Sequence, residues 1–387
     1  MGIIDLALQI DESFINGLSQ DAVFELGVAA THQNAAYITP TSGTSGNPKL
    51  TLIEHGQYCS GVLAHAPGML MNSTTPLRVL QFASHSFDAS MVETLSVLIL
   101  GGTVCIPDEE TRLNDVAKAI NEMDVTWTCL TPTFVRFLHP SAVPSLKTIA
   151  LVGEAMSKSN VEAWSVINLV NAYGPSECSV AAVANPKVTL QTDPKNIGFP
   201  LGIHTWVVDP SDYNKLVPIG CIGELLVEGP TIARGYLNDP EKTAQSFIRN
   251  PTWADDRNFR GYLTGDLVLQ NADGSFNFVG RKDTQVKHHG QRVELAEIEV
   301  HLNAEACVKH GLILHPKSGP CRGRLVSVFS LADAAADEEN PGSELRIICG
   351  SLKPRADSQI KAIREKLTRK LPPYMVPSTW FAVEAIP

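Results

Sequence analysis

The sequence predicts an α/β protein, with a layered α/β core, then a small β-barrel-like subdomain, and finally a small, mobile α+β domain. Between about residues 35 and 197, apolar runs of strand length alternate with segments of helical period, which is typical of layered α/β domains. Between residues 198 and 280, short apolar runs are separated by Gly, Pro, Asn and Asp, as in a small barrel or distorted sheet. Beyond Arg281, about a hundred residues combine helices with strands, which is enough for a small domain.

The elements of the first part follow from hydrophobic periodicity, period two for strands and 3.6 for helices. The predicted strands are Ala36–Thr39, Leu50–Ile53, Thr103–Pro107, Thr126–Leu130, Thr148–Leu151 and Leu169–Ala172. The predicted helices are His55–Ala64, Ser90–Leu100, Asn114–Met123 and Thr133–Leu138.

The later elements are bounded by turn residues and prolines. Predicted strands of the β-rich part are Thr205–Asp209, Gly223–Glu228, Gly261–Gln270 and Ser275–Val279. The last part is predicted to hold a helix, two strands, an acidic surface loop and a basic helix, at Glu294–Asn303, Val308–Leu314, Leu325–Leu331, Ala332–Ser343 and Arg355–Lys370. We therefore expect a main domain at 1–282, with its α/β layers at 35–197, and a small domain at 283–387.

Composition excludes several classes of protein. The 387 residues are 44% hydrophobic and 19% charged, as in ordinary globular proteins. The net charge of −10 argues against a broad nucleic-acid surface. The eight cysteines form no C-x-x-C pattern, which favours reduced thiols over a disulfide framework or zinc site. The N-terminus lacks the basic stretch of a signal peptide, and no apolar run could span a bilayer, so we expect a cytoplasmic protein without a membrane partner.

A glycine-rich segment, TSGTSGNPK at 41–49, suits phosphate binding. Its glycines permit a tight backbone path, and its N–H groups, hydroxyls and Lys49 can contact phosphate oxygens. The Walker pattern is absent. Taken alone, such a segment is more often a flexible polar turn than a phosphate site.

Nine further segments accompany this loop in a characteristic order. They are FDAS (87–90), GE (153–154), NAYGPSE (171–177), GELLVEG (223–229), ARGYL (233–237), YLTGD (262–266), GRKD (280–283), QVKHHGQRVELAE (285–297) and LPPYMVP (371–377). From about Tyr37 to the end, the chain resembles the adenylation domains of nonribosomal peptide synthetases, within the adenylate-forming, AMP-binding enzymes. The resemblance implies the adenylate-forming enzyme fold, N-terminally incomplete because few residues precede the loop.

The resemblance implies ATP and Mg²⁺ as cofactors. Glu154 and Tyr173 would form the adenine site, Glu177 would bind Mg²⁺, and Asp266 would accept hydrogen bonds from the ribose, with Arg281 beside it. The implied nucleotide residues are Thr41, Ser42, Gly43, Thr44, Ser45, Gly46, Lys49, Gly153, Glu154, Asn171, Tyr173, Gly174, Ser176, Asp266 and Arg281. Those implied in catalysis are Thr44, Lys49, Glu177 and Lys287. Singly, each could be structural: Tyr173 a core aromatic, Glu177 a surface glutamate, Asp266 a turn residue.

The resemblance also places an amino-acid pocket. Asp88 would bind the substrate's α-amino group through a charge-assisted pair, although it could also cap the helix that follows. The implied side-chain pocket consists of Ala89, Val92, Cys129, Ala150, Val152, Ala172, Val180 and Ala181. Since none is charged and most are small, we expect a large apolar or aromatic amino acid as substrate.

The implied reaction joins an amino-acid carboxylate to AMP and then transfers it to a phosphopantetheine thiol on a separate carrier domain of a synthetase. Asp283 matches the hinge about which the small domain would present Lys287 to the site. The family's catalytic lysine lies just beyond LPPYMVP and has no match here, so we expect weakened adenylation. Two alternatives remain: a catalytically impaired remnant that only binds nucleotide or substrate, and an acyl-CoA ligase, against which Asp88 argues.

Overall fold

The structure is a computed structural model. It describes residues 30–41, 48–72, 75–255, 258–283, 285–288, 290–332, 346–349, 353–383 and 386. Residues 42–47 of the predicted phosphate loop, and nearly all of the predicted acidic loop, lie outside the described residues. No helix in the described ranges is long and apolar enough to cross a membrane.

The first part alternates strands and helices as the hydrophobic pattern predicts. Its strands are β1 (Ala35–Thr41), β2 (Lys49–Glu54), β3 (Arg78–Leu80), β4 (Thr103–Cys105), β5 (Trp127–Leu130), β6 (Thr148–Leu151), β7 (Asn168–Tyr173), β8 (Val183–Asn185) and β9 (Asn196–Pro200). Its helices are α1 (His55–Gly68), α2 (Ala89–Met91 and Val97–Ile99 around a π-helical turn, Val92–Ser96), α3 (Glu109–Asn114), α4 (Val116–Glu122) and α5 (Lys158–Trp164).

The remaining elements are mostly antiparallel strands. They are β10 (His204–Asp209), β11 (Asp212–Leu216), β12 (Ile222–Glu228), β13 (Gly235–Tyr236), α6 (Pro240–Ser246), β14 (Phe247–Arg249), β15 (Arg260–Gln270), β16 (Phe276–Arg281), β17 (Gln285–His288), β18 (Gln291–Glu294), α7 (Leu295–Asn303), β19 (Val308–Leu314), β20 (Val326–Leu331), α8 (Lys353–Lys370) and β21 (Thr379–Val383).

A single large sheet joins the α/β part to the β-rich part. Its order is β11-β10-β12-β15-β16-β9-β8-β7-β6-β5-β3-β4, with β14 paired to β15. The pairs from β4 to β7 are parallel, whereas β8 and β9 are antiparallel to their neighbours. The β-rich part is thus hydrogen-bonded to the parallel strands through β9, a continuity that local sequence pattern does not reveal.

Several local expectations differ from the structure. The helix predicted at Ser90–Leu100 contains the π-helical turn, and Thr133–Leu138 forms only a 3₁₀ turn at Phe134–Phe137. The helix predicted at Asn114–Met123 is present as Val116–Glu122, and it begins two residues later because the Asp115 side chain caps it by accepting from the Lys118 N–H. Asp side chains compete for backbone hydrogen bonds in this way and thereby set where a helix begins.

Residues after Glu294 have their own apolar core. It joins α7, β19, β20 and α8 through fully buried side chains such as Ile298, Phe329 and Leu367. A separate core, in which alanines and valines pack around larger side chains such as Trp127, lies between α2 and the parallel strands. This second core forms the wall of the candidate site.

Candidate active site

A cleft opens where β5, β6 and β7 end, between α2 and the β17–β18 hairpin. Ligands of open α/β sheets bind in this position, outside the carboxyl ends of the strands. Its empty volume is about 1080 Å³, open solvent included. The cleft is lined both by strand-end residues such as Cys129 and Ala172 and by Lys287 and Gly290 of the hairpin region.

Asp88 lies at one end of this cleft. It precedes α2 with helical backbone angles and makes no side-chain capping bond, so the helix-cap alternative has no support here. The residue is 6% exposed, and its Oδ2 has no hydrogen-bond partner. Burial, together with repulsion from Glu177, raises the pKa of Asp88 to about 6, against a partial offset from the Ser176 hydroxyl. A buried carboxylate with one oxygen left without a hydrogen bond suits a cationic ligand group.

The apolar residues predicted for the amino-acid pocket lie together. All eight belong to, or pack against, one buried cluster, and all but Ala150 line the cleft. Ala150 is fully buried behind the wall on β6. A turn with positive φ at Ser179 (55°) and Val180 (80°) brings Val180 to the cleft. A Cβ at Gly174 would lie 2.0 Å from the Val180 carbonyl oxygen, so only glycine allows this turn.

Tyr173, Asp266 and Arg281 form the opposite end of the cleft. The Tyr173 hydroxyl donates to Asp266 Oδ2 at 2.5 Å, and Arg281 Nη1 donates to Asp266 Oδ1 at 3.2 Å. Burial and the neighbouring Asp266 carboxylate raise the pKa of Tyr173 well above its ordinary value. Asp266 reaches this position because Gly265 adopts a φ of 72°.

Glu177 and Lys49 lie close to Tyr236 and outside the cleft lining. Glu177 is fully buried, and its Oε1 accepts from the Tyr236 hydroxyl at 2.8 Å. Lys49 Nζ is 5.9 Å from the centroid of the Tyr236 ring and 3.4 Å from Glu294 Oε1. One acidic residue with a hydroxyl partner is compatible with a Mg²⁺ ion that is held mainly by nucleotide phosphates. No group of three potential metal ligands occurs within the described ranges.

The hairpin is tied to the main part through Glu154. Its Oε2 accepts from the Thr133 N–H at 2.9 Å, and its Oε1 accepts from the Gly290 N–H at 2.7 Å. The sequence resemblance assigns Glu154 to the adenine site, yet the cleft lining includes its neighbour Gly153 rather than Glu154. Its carboxylate instead fixes the hairpin against the strand ends.

Lys287 and the implied hinge residue surround the same end of the cleft. Lys287 Nζ is 5.4 Å from the Tyr173 ring centroid, within cation–π range. Asp283 is exposed, and its carboxylate accepts from Arg281 Nε and Nη2 at 2.9 and 2.5 Å. Arg281 therefore bridges Asp266 and Asp283.

A further implied nucleotide residue, Asn171, also lies outside the cleft lining. The Asn171 amide donates to the carbonyl oxygens of Pro194 and Asn196, which fixes the connection before β9 and leaves the side chain out of the cleft lining. Thr41 and Ser176 do line the cleft.

Sequence reasoning missed several residues of the site. Met69, Phe87, Gln285 and Tyr374 also line the cleft. Glu93 lies directly behind the wall, fully buried. Its signal in the sequence was a lone acid within the apolar run that follows Asp88.

Comparison with known proteins agrees with this architecture. The "AMP-binding enzyme" family model matches residues 6–237. Nonribosomal peptide synthetase 1 of Aspergillus fumigatus is 49% identical over 399 residues, covering 100% of this chain and 6% of the relative. N-benzoylphenylalaninol synthetase apmA of Penicillium brevicompactum is 47% identical over 92% of this chain and 15% of its own length. The chain thus spans only a small part of these relatives.

Solved structures show the same fold. The adenylation domain AlmE of Vibrio cholerae, in complex with glycyl-adenosine-5′-phosphate, has a TM-score of 0.73 at 24% identity, covering 92% of this chain and 65% of that one. PA1221, which contains adenylation and PCP domains, has a TM-score of 0.75 at 24% identity over 96% and 71%. The chain belongs to the AMP-binding enzymes, which are adenylate-forming ligases, and resembles the adenylation domains of nonribosomal peptide synthetases.

Proposed function

We propose that this chain activates a large apolar or aromatic amino acid with ATP and loads it onto the phosphopantetheine arm of a carrier domain. The observation that carries the proposal is Asp88, a buried carboxylate whose Oδ2 has no hydrogen-bond partner, beside a wall of neutral residues. An α-ammonium group would pair with Asp88, and the substrate side chain would fill the apolar space beyond it.

The other end of the cleft supports nucleotide binding. Tyr173 offers an aromatic face, and Asp266 offers carboxylate oxygens as hydrogen-bond acceptors. Ribose hydroxyls can reach these oxygens once the hydrogen bond from the Tyr173 hydroxyl to Asp266 Oδ2 breaks. Thr41 and Lys49 flank the glycine-rich segment that would receive the phosphates. Mg²⁺ bound near Glu177 would neutralise phosphate charge. Together, these residues would align the carboxylate of the amino acid for attack on the α-phosphate of ATP, although both groups are anionic.

A second cleft supports the thiol-transfer step. It shares Phe87, Ala89, Cys129 and Gly290 with the first cleft and continues past Phe82 and Phe134. Both clefts meet at the amino-acid pocket, so a linear thiol-bearing arm could reach an activated carbonyl without displacing the nucleotide. The Glu154–Gly290 hydrogen bond holds the hairpin at this junction.

The test is amino-acid-dependent ATP–pyrophosphate exchange with a panel of amino acids, on this chain and on any longer form encoded by the same gene. We expect the strongest exchange with an apolar or aromatic amino acid, and little with its des-amino acid. A best signal from Asp, Lys or Gly would contradict the substrate class. Equal activation of 3-phenylpropanoate and phenylalanine would favour an acyl-CoA ligase. ATP binding without exchange in every form would favour a binding module.

A further inference from the structure

Glu93 is a buried carboxylate with three well-placed donors. It lies in the π-helical turn of α2, next to Val92 of the pocket wall, and both residues are almost completely buried. A π-helical turn contains one more residue than an α-helical one, and such turns are frequent at functional sites. Here the wider turn accompanies two consecutive side chains that both point inward.

The first two donors belong to a loop that lines the second cleft. Glu93 Oε2 accepts from the N–H groups of Phe82 and Ala83, at 2.9 and 2.8 Å. The carbonyl groups of the same residues are bound from elsewhere: Arg112 Nη1 donates to the Phe82 oxygen at 2.9 Å, and Gln81 Nε2 to the Ala83 oxygen at 2.7 Å. The loop is therefore held through both its N–H groups and its carbonyl groups. Glu93, on α2, provides the acceptor for the N–H groups.

The third donor is the thiol of Cys129, a residue of the pocket wall. Its Sγ is 3.3 Å from Glu93 Oε1. A carboxylate accepts hydrogen bonds and donates none when ionised, so the thiol proton points toward Glu93. The sulfur then presents no hydrogen-bond donor to the amino-acid pocket, which keeps this part of the wall apolar toward a substrate side chain.

We propose that Glu93 is a specificity-determining positioning residue, which orients the Cys129 thiol away from the amino-acid pocket and holds the Phe82–Ala83 loop in place as a wall of the second cleft. The role in specificity rests on the proposed function, but the contacts of Glu93 can be tested without any enzymatic turnover. Burial raises the pKa of Glu93 to about 7, with an offset from its backbone donors, Cys129 and Arg112. Measurements at pH 8.5 therefore address the ionised form.

The decisive variant is Glu93→Gln. The amide keeps one oxygen for the two loop N–H groups but offers an NH₂ group, rather than an acceptor, to Cys129. Proximity to Glu93 and the hydrogen bond to it add to burial in raising the pKa of the Cys129 thiol. Removing the carboxylate should lower that pKa and increase the thiolate fraction.

The assay is the rate at which methyl methanethiosulfonate modifies Cys129 in the folded chain at pH 8.5, followed by peptide mass mapping. We expect this rate to be higher in Glu93→Gln than in wild type, because the thiolate is the reactive form. Cys105 and Cys178, which are buried in other clusters, serve as internal controls and should keep their rates. Glu162→Gln, at an exposed glutamate on α5, is the matched surface variant and should behave as wild type.

Two results would overturn the proposal. One is an unchanged Cys129 rate in Glu93→Gln. The other is a parallel rise at Cys105 and Cys178, which would show that Glu93 only stabilises the fold. Neither depends on adenylation, so the proposal can fail while the proposed function stands.

In an active form, a second readout distinguishes positioning from general stability. Glu93→Gln should raise KM for the preferred amino acid by about tenfold, corresponding to one lost hydrogen bond to a charged group, with a smaller change in kcat and in KM for ATP. The variant should also show a smaller ratio of activity with apolar amino acids to activity with polar ones, since the Cys129 thiol proton can then face the pocket. Equal losses for all amino acids and for ATP would contradict the assignment.

Discussion

Replacing Asp88 with asparagine should make the protein more stable and less active. Raising the pKa of a carboxyl group from 3.8 to about 6 corresponds to about 3 kcal/mol of preference for its neutral form, at 1.36 kcal/mol per unit. The folded-state pKa lies above the unfolded value, so stability is full below about pH 3.8 and falls as pH rises to about 6. Asparagine is neutral at every pH and has nearly the same shape, so at pH 7.5 it should remove most of this cost.

The activity should change in the opposite direction. Loss of a buried charge-assisted pair with the α-ammonium group costs about 2–5 kcal/mol, or roughly 30-fold to several thousand-fold in kcat/KM for the amino acid. The ratio of amino acid to des-amino acid activation should fall by a similar factor, because only the ammonium interaction is removed.

The assays are urea unfolding at pH 7.5 and pyrophosphate exchange with paired substrates, such as phenylalanine and 3-phenylpropanoate. Asp108→Asn is the control, because Asp108 does cap a helix by accepting from the Thr111 N–H, and asparagine caps as well as aspartate. It should leave both measurements unchanged. If Asp88→Asn lowers stability and reduces activation of both substrates equally, Asp88 is structural and the reasoning is refuted.

Two further perturbations test the hairpin and the pH dependence. Glu154→Gln should weaken the hydrogen bond to the Gly290 N–H and slow thiol transfer about tenfold, because a charged acceptor is lost. The rate of pyrophosphate exchange should change less. A larger loss in exchange than in thiol transfer would contradict this expectation. His65 is buried, and burial lowers its pKa to about 4, so its share of stability is present above about pH 6.5 and is lost as pH falls toward 4. Between pH 7.5 and pH 5, we expect the free energy of unfolding to fall by about 2 kcal/mol less in His65→Gln than in wild type, as measured by urea unfolding. The same pH dependence in both proteins would show that His65 does not take up a proton on unfolding in this range.

Local pattern predicted most of the elements but not how they join. Strands such as Thr148–Leu151 are visible because a short apolar run between turns is too brief for a buried helix and therefore favours a buried strand. The hydrogen-bonded continuity through β9 is invisible, since it depends on which strands meet rather than on how each one folds. The short strand Arg78–Leu80 carries too few residues to show a period.

The site shows the same division. Motif resemblance placed Asp88 and Asp266 in one cleft, because their neighbours fix the backbone at each position. It placed Asn171 in the nucleotide site as well, although that side chain holds a distant loop. Glu93 has no motif-based role in the sequence, since its donors come from a loop ten residues earlier and a strand thirty-six residues later.

The polar groups behind the amino-acid pocket give an independent argument for its role. Besides Asp88 Oδ2, the buried Tyr37 hydroxyl and the Ser90 hydroxyl have no hydrogen-bond partner, and nearby Asp88 contributes to the raised pKa of Tyr37. Buried polar atoms without hydrogen-bond partners lower the free energy of unfolding. Clustering several of them in one place therefore has no benefit for the stability of the fold. A ligand that supplies a positive charge and hydrogen-bond donors at this point would relieve part of that cost. The energetic cost of burying Asp88 and the motif around it are separate properties of the chain, and both support the proposal that Asp88 binds the substrate's ammonium group.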